Sequence, residues 1–435
     1  MKSISRREFL KYLGAGAISI VAKPKIPLSL RNRLLPASTV VQCFDENATS
    51  GSSINESVVH IMVDESIKTL TGLSDVGEAW KSLFPGITAS SIIGIKVNCI
   101  NHYVPTHPPV ANTIANGLAQ IHWGTTYFPK NNIIIWDRTS SELSSAGYTL
   151  YNGGDPGTVR CYGTNGSYDT GCPFNVNGVT SYPSTILSQN CDYIIDAAVL
   201  KDHNGATATL TLKNHYGSVN NPSSLHGGTY SCNPFIPSLN QQIRDIITPN
   251  NIQKISIIDG LFGRICWGPS GSANCNPKKI IMSLDTVACD SQGQNIINEE
   301  RIALGQPTID APHIATAAQP PYNLGTTDIH LIEINNPTSI EESRQERLVN
   351  GMFTITPNPI HQTAVITVTL TQASAVYLDV IDASGRMCQH VFKGNLRSGT
   401  HRISFNRTPT LSTGTYFVRM RNHGTSSTKK VTILN

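Results

Sequence analysis

Charge is scarce in this sequence: Asp, Glu, Lys and Arg make up 14% of its 435 residues, and aromatic residues only 7%. A formal net charge of +4 is small for that length, and no Lys/Arg cluster interleaved with aromatics occurs in the body of the chain. An electrostatic nucleic-acid footprint is therefore not expected. Beyond the N-terminal stretch no apolar run approaches the roughly 20 residues needed to cross a bilayer, so no stable membrane span is expected either. Ten cysteines are present without a CxxC pair or a C-x2-C-x2-C run. That spacing offers no structural zinc site and no iron–sulfur cluster. In place of charge the chain has Gly, Ser, Thr and Asn, the composition of an exported β-rich or α/β protein. Its length gives room for two or three domains.

The start, MKSISRREFLKYLGAGAISIVAKPK, places Ser5-Arg6-Arg7-Glu8-Phe9-Leu10-Lys11 before a short, weakly apolar stretch. This resembles a twin-arginine signal, which addresses a folded protein to the twin-arginine translocase. Residues 1–25 are read as that signal and 26–55 as an extended lead-in without periodicity. Two cysteine pairs, Cys161 with Cys172 and Cys266 with Cys275, bracket short polar loops and read as local disulfides in an oxidising compartment. Cys99, Cys191 and Cys289 read as buried apolar residues.

From residue 56 to 335 strand and helix signals alternate. Ser57 to Leu70 has helical spacing, and SIIGIKVNCI (Ser91 to Ile100) is a buried-strand candidate. Pro108 and Pro109 suit a helix start. NNIIIWDRTSSEL (Asn131 to Leu143) repeats strand, polar tip and Ser-capped helix. DYIIDAAVL (Asp192 to Leu200), KISIIDG (Lys254 to Gly260) and KKIIMSLDTVACD continue the series, with Asp285 at a helix N-cap. Such alternation predicts an α/β domain, a mostly parallel or mixed sheet with covering helices. The Gly/Asn/Tyr-rich insertion from Tyr148 to Tyr182 breaks the rhythm and reads equally as a binding loop or as decorated surface.

Chemistry concentrates in one stretch, VLKDHNGATATLTLKNHYGSVNNPSSLHGG (Val199 to Gly228). Lys201, Asp202 and His203 are expected just past the end of a buried strand, the edge where open α/β sheets bind ligands. The run from Ala206 to Leu212 reads as a second strand delivering Lys213, Asn214 and His215 to a turn. Lysine near a strand end is often only solvated, but Lys-x-His twice within a dozen positions points to a site. Lys201 and Lys213 suit an anion such as carboxylate or phosphate. His203 and His226 titrate in the range of general acid/base work. Lys96, Asn98, Asn214 and Asp137 are the substrate-binding candidates. The rival is a divalent metal held by Asp202, His215, Asp259 and Asp285, since imidazole and carboxylate suit several transition metals.

The end of the chain changes character. After a polar linker (336–352), residues 353–435 show short alternating strands with Gly/Asn/Ser turns, which predicts a small all-β sandwich. Pro357-Asn358-Pro359, VYLDVIDASGRM, LSTGTYFVRM and the closing KKVTILN resemble the type A sorting domain of type IX secretion in Bacteroidetes. That resemblance implies recognition by the outer-membrane secretion machinery and a surface or extracellular destination.

A second resemblance covers about Ile92 to Arg301. GIKVN, IIIWDR with SSELSSAGY, VLKDH with TLKNHYG and LHGG, IIDG, and SLDTVACD are similar, in that order, to the family catalogued as domain of unknown function 362. Some relatives carry ferredoxin-like cysteine clusters, which this chain lacks, so an electron-transfer role does not carry over. The family implies no settled reaction. It implies a set of residues to examine: Lys96, Asn98, Asp137, Lys201, His203, Lys213, Asn214, His226, Asp259, Asp285 and Asp290. The sequence thus supports an exported α/β protein with an anion- or metal-binding cleft, either an enzyme or a non-catalytic binder of a glycan, peptide or metal.

Overall fold

The computed structural model describes residues 38–155, 157–227, 232–247, 252–338, 352–370, 373–382, 385–422 and 425–434. The twin-arginine stretch and most of the polar linker lie outside the described residues.

Nine strands form one mixed sheet: β1 (Thr39–Phe44), β2 (Ile93–Lys96), β3 (Ile133–Trp136), β4 (Arg160–Cys161), β5 (Tyr193–His203), β6 (Thr207–Thr209), β7 (Gln253–Arg264), β8 (Lys279–Ser283) and β9 (His330–Asn335). Their order is β9-β1-β8-β7-β5-β2-β3-β4, with β6 paired onto β5. Strands β4, β3, β2, β5 and β7 are mutually parallel, whereas β8 runs antiparallel to both β7 and β1. From β2 the chain winds outward through β3 and β4, then returns to β2's other side as β5. The sheet therefore has its topological switch point between β2 and β5, where α/β sheets open a crevice at the carboxyl ends of the strands.

Strand residues alternate between two apolar cores, as a pleated sheet covered on both faces requires. Ile93, Ile95, Ile133, Ile135, Ile195 and Ala197 face one core, with helices α1 (Glu56–Thr71), α2 (Val76–Lys81), α3 (Pro108–Leu118) and α4 (Ser140–Ser145) over it. Ile134, Trp136, Ile194, Leu200 and Ile258 face the other, beneath α5 (Thr211–Asn214), α6 (Phe235–Ile246), α7 (Thr286–Ala303) and α8 (Pro312–Ala318).

Three sequence readings are corrected. Residues 39–44, placed in an extended lead-in, form a buried strand flanked by β8 and β9; TVVQCF is short enough to escape a periodicity argument. Ala206 to Leu212 is not one strand. Thr207–Thr209 folds back on β5 as an antiparallel hairpin, and Thr211 begins a single helical turn instead. Finally, all ten cysteines, each among the described residues, are free thiols, so neither expected disulfide is formed. Burial pushes the thiol of Cys161 up to about 12 and raises that of Cys275 further, as expected of apolar packing.

Residues 352–434 build a separate all-β unit, a three-stranded and a four-stranded antiparallel sheet. Its own core includes Phe353, Ile366, Val368, Val376, Leu378, Val418 and Val431.

Candidate functional site

Three lysines reach one cavity because the fold brings three chain segments to the switch point. Lys96 ends β2, Lys201 lies near the end of the neighbouring β5, and Lys213 rides on α5, reached through the β5–β6 hairpin. The cavity holds about 220 Å³ and is lined by all eight residues proposed for catalysis or substrate binding: Lys96, Asn98, Asp137, Lys201, His203, Lys213, Asn214 and His226. No described residue of the Tyr148–Tyr182 insertion is among those lining it.

At its floor the groups are locked together. Lys96 Nζ donates to Asp137 Oδ1 at 2.7 Å, to the Val97 carbonyl at 2.7 Å and to Asn214 Oδ1 at 3.3 Å. Asp137 Oδ2 accepts the Cys99 backbone N–H at 2.6 Å. Asn214 uses its whole amide. Its Nδ2 donates to Asp196 Oδ1 (2.6 Å) and the Lys96 carbonyl (3.2 Å), while Oδ1 also accepts from Asn98 Nδ2 (3.2 Å). Asn98 Oδ1 in turn accepts from Lys201 Nζ at 2.7 Å. Gly217 passes directly above this floor. A Cβ there would lie 2.9 Å from Asp137 Oδ1 and 3.0 Å from Lys96 Nζ, so the position admits only glycine without displacement.

The upper wall carries the imidazoles, and their partners assign the tautomers. His203 Nδ1 accepts the backbone N–H groups of Gly205 (2.9 Å) and Ala206 (3.0 Å), leaving its proton on Nε2. His226 Nδ1 lies 2.8 Å from the Pro222 carbonyl, which can only accept, so Nδ1 carries the proton. The His226 Nε2 lone pair then faces Lys213 Nζ at 3.2 Å. Lys213 Nζ also sits 4.0 Å over the Tyr216 ring, and the two imidazoles stack with centroids 5.5 Å apart.

Electrostatically the site has more cations than anions. Lys96, Lys201, Lys213 and Arg138 line it against the carboxylates of Asp137 and Glu142, the last paired with Arg138. Lys201 and Lys213 form no salt bridge among the described residues. Burial pushes each of these two ammonium groups down to about 8; neighbouring Lys213 and Lys96 push Lys201 the same way. Burial and the adjacent lysine hold His203 neutral, its value pushed down to about 3. His226 is lowered by the same two causes.

The four residues read as metal ligands do not meet. Asp202 alternates with Lys201 and His203 along β5, so it points to the opposite side, 3.5 Å from Arg301. His215 is buried between Ser218 (3.0 Å) and Gln253 (2.7 Å). Asp259 Oδ2 accepts the His107 backbone N–H at 2.8 Å and lies 2.8 Å from His107 Nδ1. Asp285 caps α7 through the N–H groups of Val287 and Ala288. Among the described residues no group of three or more His, Cys, Asp or Glu side chains could hold a metal ion. Asp290 is likewise structural, gripping the first turn of α5 through Thr211 N, Thr211 Oγ1 and Leu212 N.

Sequence reasoning missed Asp196 and Tyr216. Asp196 sits inside DYIIDAAVL, and a lone acid in an apolar strand is itself a signal, since a buried carboxyl needs a partner. It is fully buried against Asn214, and burial raises its carboxyl well above the usual range.

Residues 93–295 match the family model described as Domain of unknown function (DUF362), and residues 354–434 match the Secretion system C-terminal sorting domain. No curated protein matches the chain. Among solved structures, dimeric latent PorU from Porphyromonas gingivalis is 17% identical, with a TM-score of 0.17, over 19% of this chain and 9% of that one. CopC from Methylosinus trichosporium OB3b is 15% identical (TM-score 0.14) over 19% of this chain and 92% of its own. A protein from Thermotoga maritima is 10% identical (TM-score 0.26), covering 49% of this chain and 52% of that one. These likenesses are local.

Proposed function

We propose that this chain, an exported protein with a DUF362 core and a C-terminal sorting domain for type IX secretion, binds a small carboxylate or phosphate in its lysine-lined cavity. The sorting domain directs the chain to the cell surface or the extracellular space. One observation carries the ligand class: three buried ammonium groups converge on a cavity in which, among the described residues, Asp137 is the one carboxylate paired to any of them. Uncompensated buried charge costs several kcal/mol, and an anion entering the cavity offsets that cost. The floor is also rigid, since Asp137 and Asn214 are fixed by Lys96, Cys99 and Asp196. In this reading Lys201 holds the charge of the ligand over the floor that Lys96 fixes, and His203 Nε2–H donates to it. His226 Nε2 is the acceptor for any proton transfer.

Titration calorimetry on the full chain with inorganic phosphate and with malonate tests the reading. At least one is expected to bind, and Lys201→Met to weaken it by tenfold or more while circular dichroism stays unchanged. Absence of binding by both anions, or equal binding by the folded variant, would reject it.

A further inference from the structure

We propose, on the reading that the cavity holds an anion, that the ligand is a small oxo acid and that Lys213 forms an imine with its carbonyl carbon. The geometry separates Lys213 from the other two lysines. Lys96 is tied to Asp137, and Lys201 lies deeper, donating to Asn98 Oδ1. Lys213 instead meets the lone pair of a neutral imidazole whose orientation is fixed by the Pro222 carbonyl. A lysine that only had to hold charge would gain more from a carboxylate neighbour than from this base. A lysine that had to lose a proton and attack needs such a base within reach.

The surroundings fit the same chemistry. Lys213 is nearly buried, with two further lysines at the same cavity and no carboxylate partner among the described residues. Burial brings its proton affinity down to about 8, so roughly one molecule in ten carries the free amine at pH 7.

The step balances without a redox partner. The Lys213 nitrogen lone pair adds to the carbonyl carbon, forming the C–N bond as the carbonyl oxygen becomes a hydroxyl. His226 Nε2 takes the first nitrogen proton and passes it to the carbonyl oxygen, which His203 Nε2–H hydrogen-bonds as it becomes the hydroxyl. The second nitrogen proton follows the same route to the hydroxyl, which leaves as water as the C=N bond forms. The net change is amine plus carbonyl to imine plus water. Lys201 holds the carboxylate of the same molecule, which sets the carbonyl carbon over Lys213.

Glyoxylate, the smallest carboxylate bearing an aldehyde, is the probe, with cyanoborohydride supplying the hydride that fixes the imine as a secondary amine. Peptide mass spectrometry of the full chain compares Lys213 with exposed Lys130. The expected result is modification of Lys213 at least tenfold faster than of Lys130, slowed by excess phosphate at Lys213 alone. Calorimetry with phosphate runs in parallel. Phosphate binding with Lys213 reacting no faster than Lys130, or rapid reaction at Lys201 in its place, would overturn the imine and leave the anion site standing. Rapid labelling of Lys213 that excess phosphate does not slow, together with no phosphate binding in calorimetry, would overturn the anion reading and with it the placement of the oxo acid by Lys201. A folded His226→Gln variant is expected to slow labelling of Lys213 relative to Lys130, and equal labelling rates would remove His226 from the step.

Discussion

Lys96 and Asp137 are both buried, and the backbone of Gly217 passes within contact distance of their ion pair. At the scale of the residue, this packing makes Gly217 a test of the cavity floor. Gly217→Ala is expected to cost about 1–3 kcal/mol in urea denaturation, because a Cβ at 2.9 Å from Asp137 Oδ1 is overpacking in a site with no slack. Phosphate affinity should fall in parallel, since the atoms displaced are those that fix Lys96. The TLKNHYG motif drew attention to this neighbourhood, yet the motif alone did not say which of its residues face the cavity. Lys213 and Asn214 turn inward, whereas His215 turns toward Ser218 and Gln253. On a single helical turn adjacent residues point about 100° apart, and that angle separates a cavity residue from a packing one.

At the scale of the element, α5 is four residues long and cannot persist by its own hydrogen bonds. Asp290 of α7 holds it by accepting from Thr211 and Leu212. Burial raises the Asp290 carboxyl to about 7, against the carboxylate hydrogen bonds that lower it. Because the folded value lies above the unfolded one, its contribution to stability is full below about pH 4 and is lost as pH rises toward about 7. Each tenfold difference in proton affinity is worth about 1.4 kcal/mol, so the loss amounts to a few kcal/mol. Asp290→Asn does not titrate, and its unfolding free energy should be flatter than that of the parent between pH 4 and 7. Equal slopes in a pH series of chemical denaturation would rule out this coupling. The apolar-run signals for β2, β3, β5, β7 and β8 were legible in the sequence, as were helices α1, α3, α4 and α7. Strand β1 was not, because its short segment acquires order from β8 and β9, far along the chain. The run holding β6 was read as one strand because its alternation does not show where the short hairpin ends and the helical turn begins.

At the scale of the whole molecule, the cavity draws on residues from 96 to 270, all within the α/β part, while residues 352–434 pack around a core of their own. A chain ending at residue 338 is therefore expected to retain phosphate affinity within about twofold, as parts with separate cores would. Calorimetric scanning should show the full chain losing one of its transitions on truncation. A truncated chain that is folded but fails to bind phosphate would show that the sorting domain contributes to the site. What the sequence determined by itself was the alternation of strand and helix, the all-β end with its sorting motifs, and the residue types suited to an anion. These follow from local patterns of hydrophobicity and from motif order. Only the tertiary structure decided that Lys96, Lys201 and Lys213 share one cavity while Asp202, His215, Asp259 and Asp285 do not. That choice depends on which strands neighbour each other and on which side of each strand or turn a side chain leaves. Pairing across a hundred residues is fixed by the packing of the folded sheet, and no local pattern encodes it.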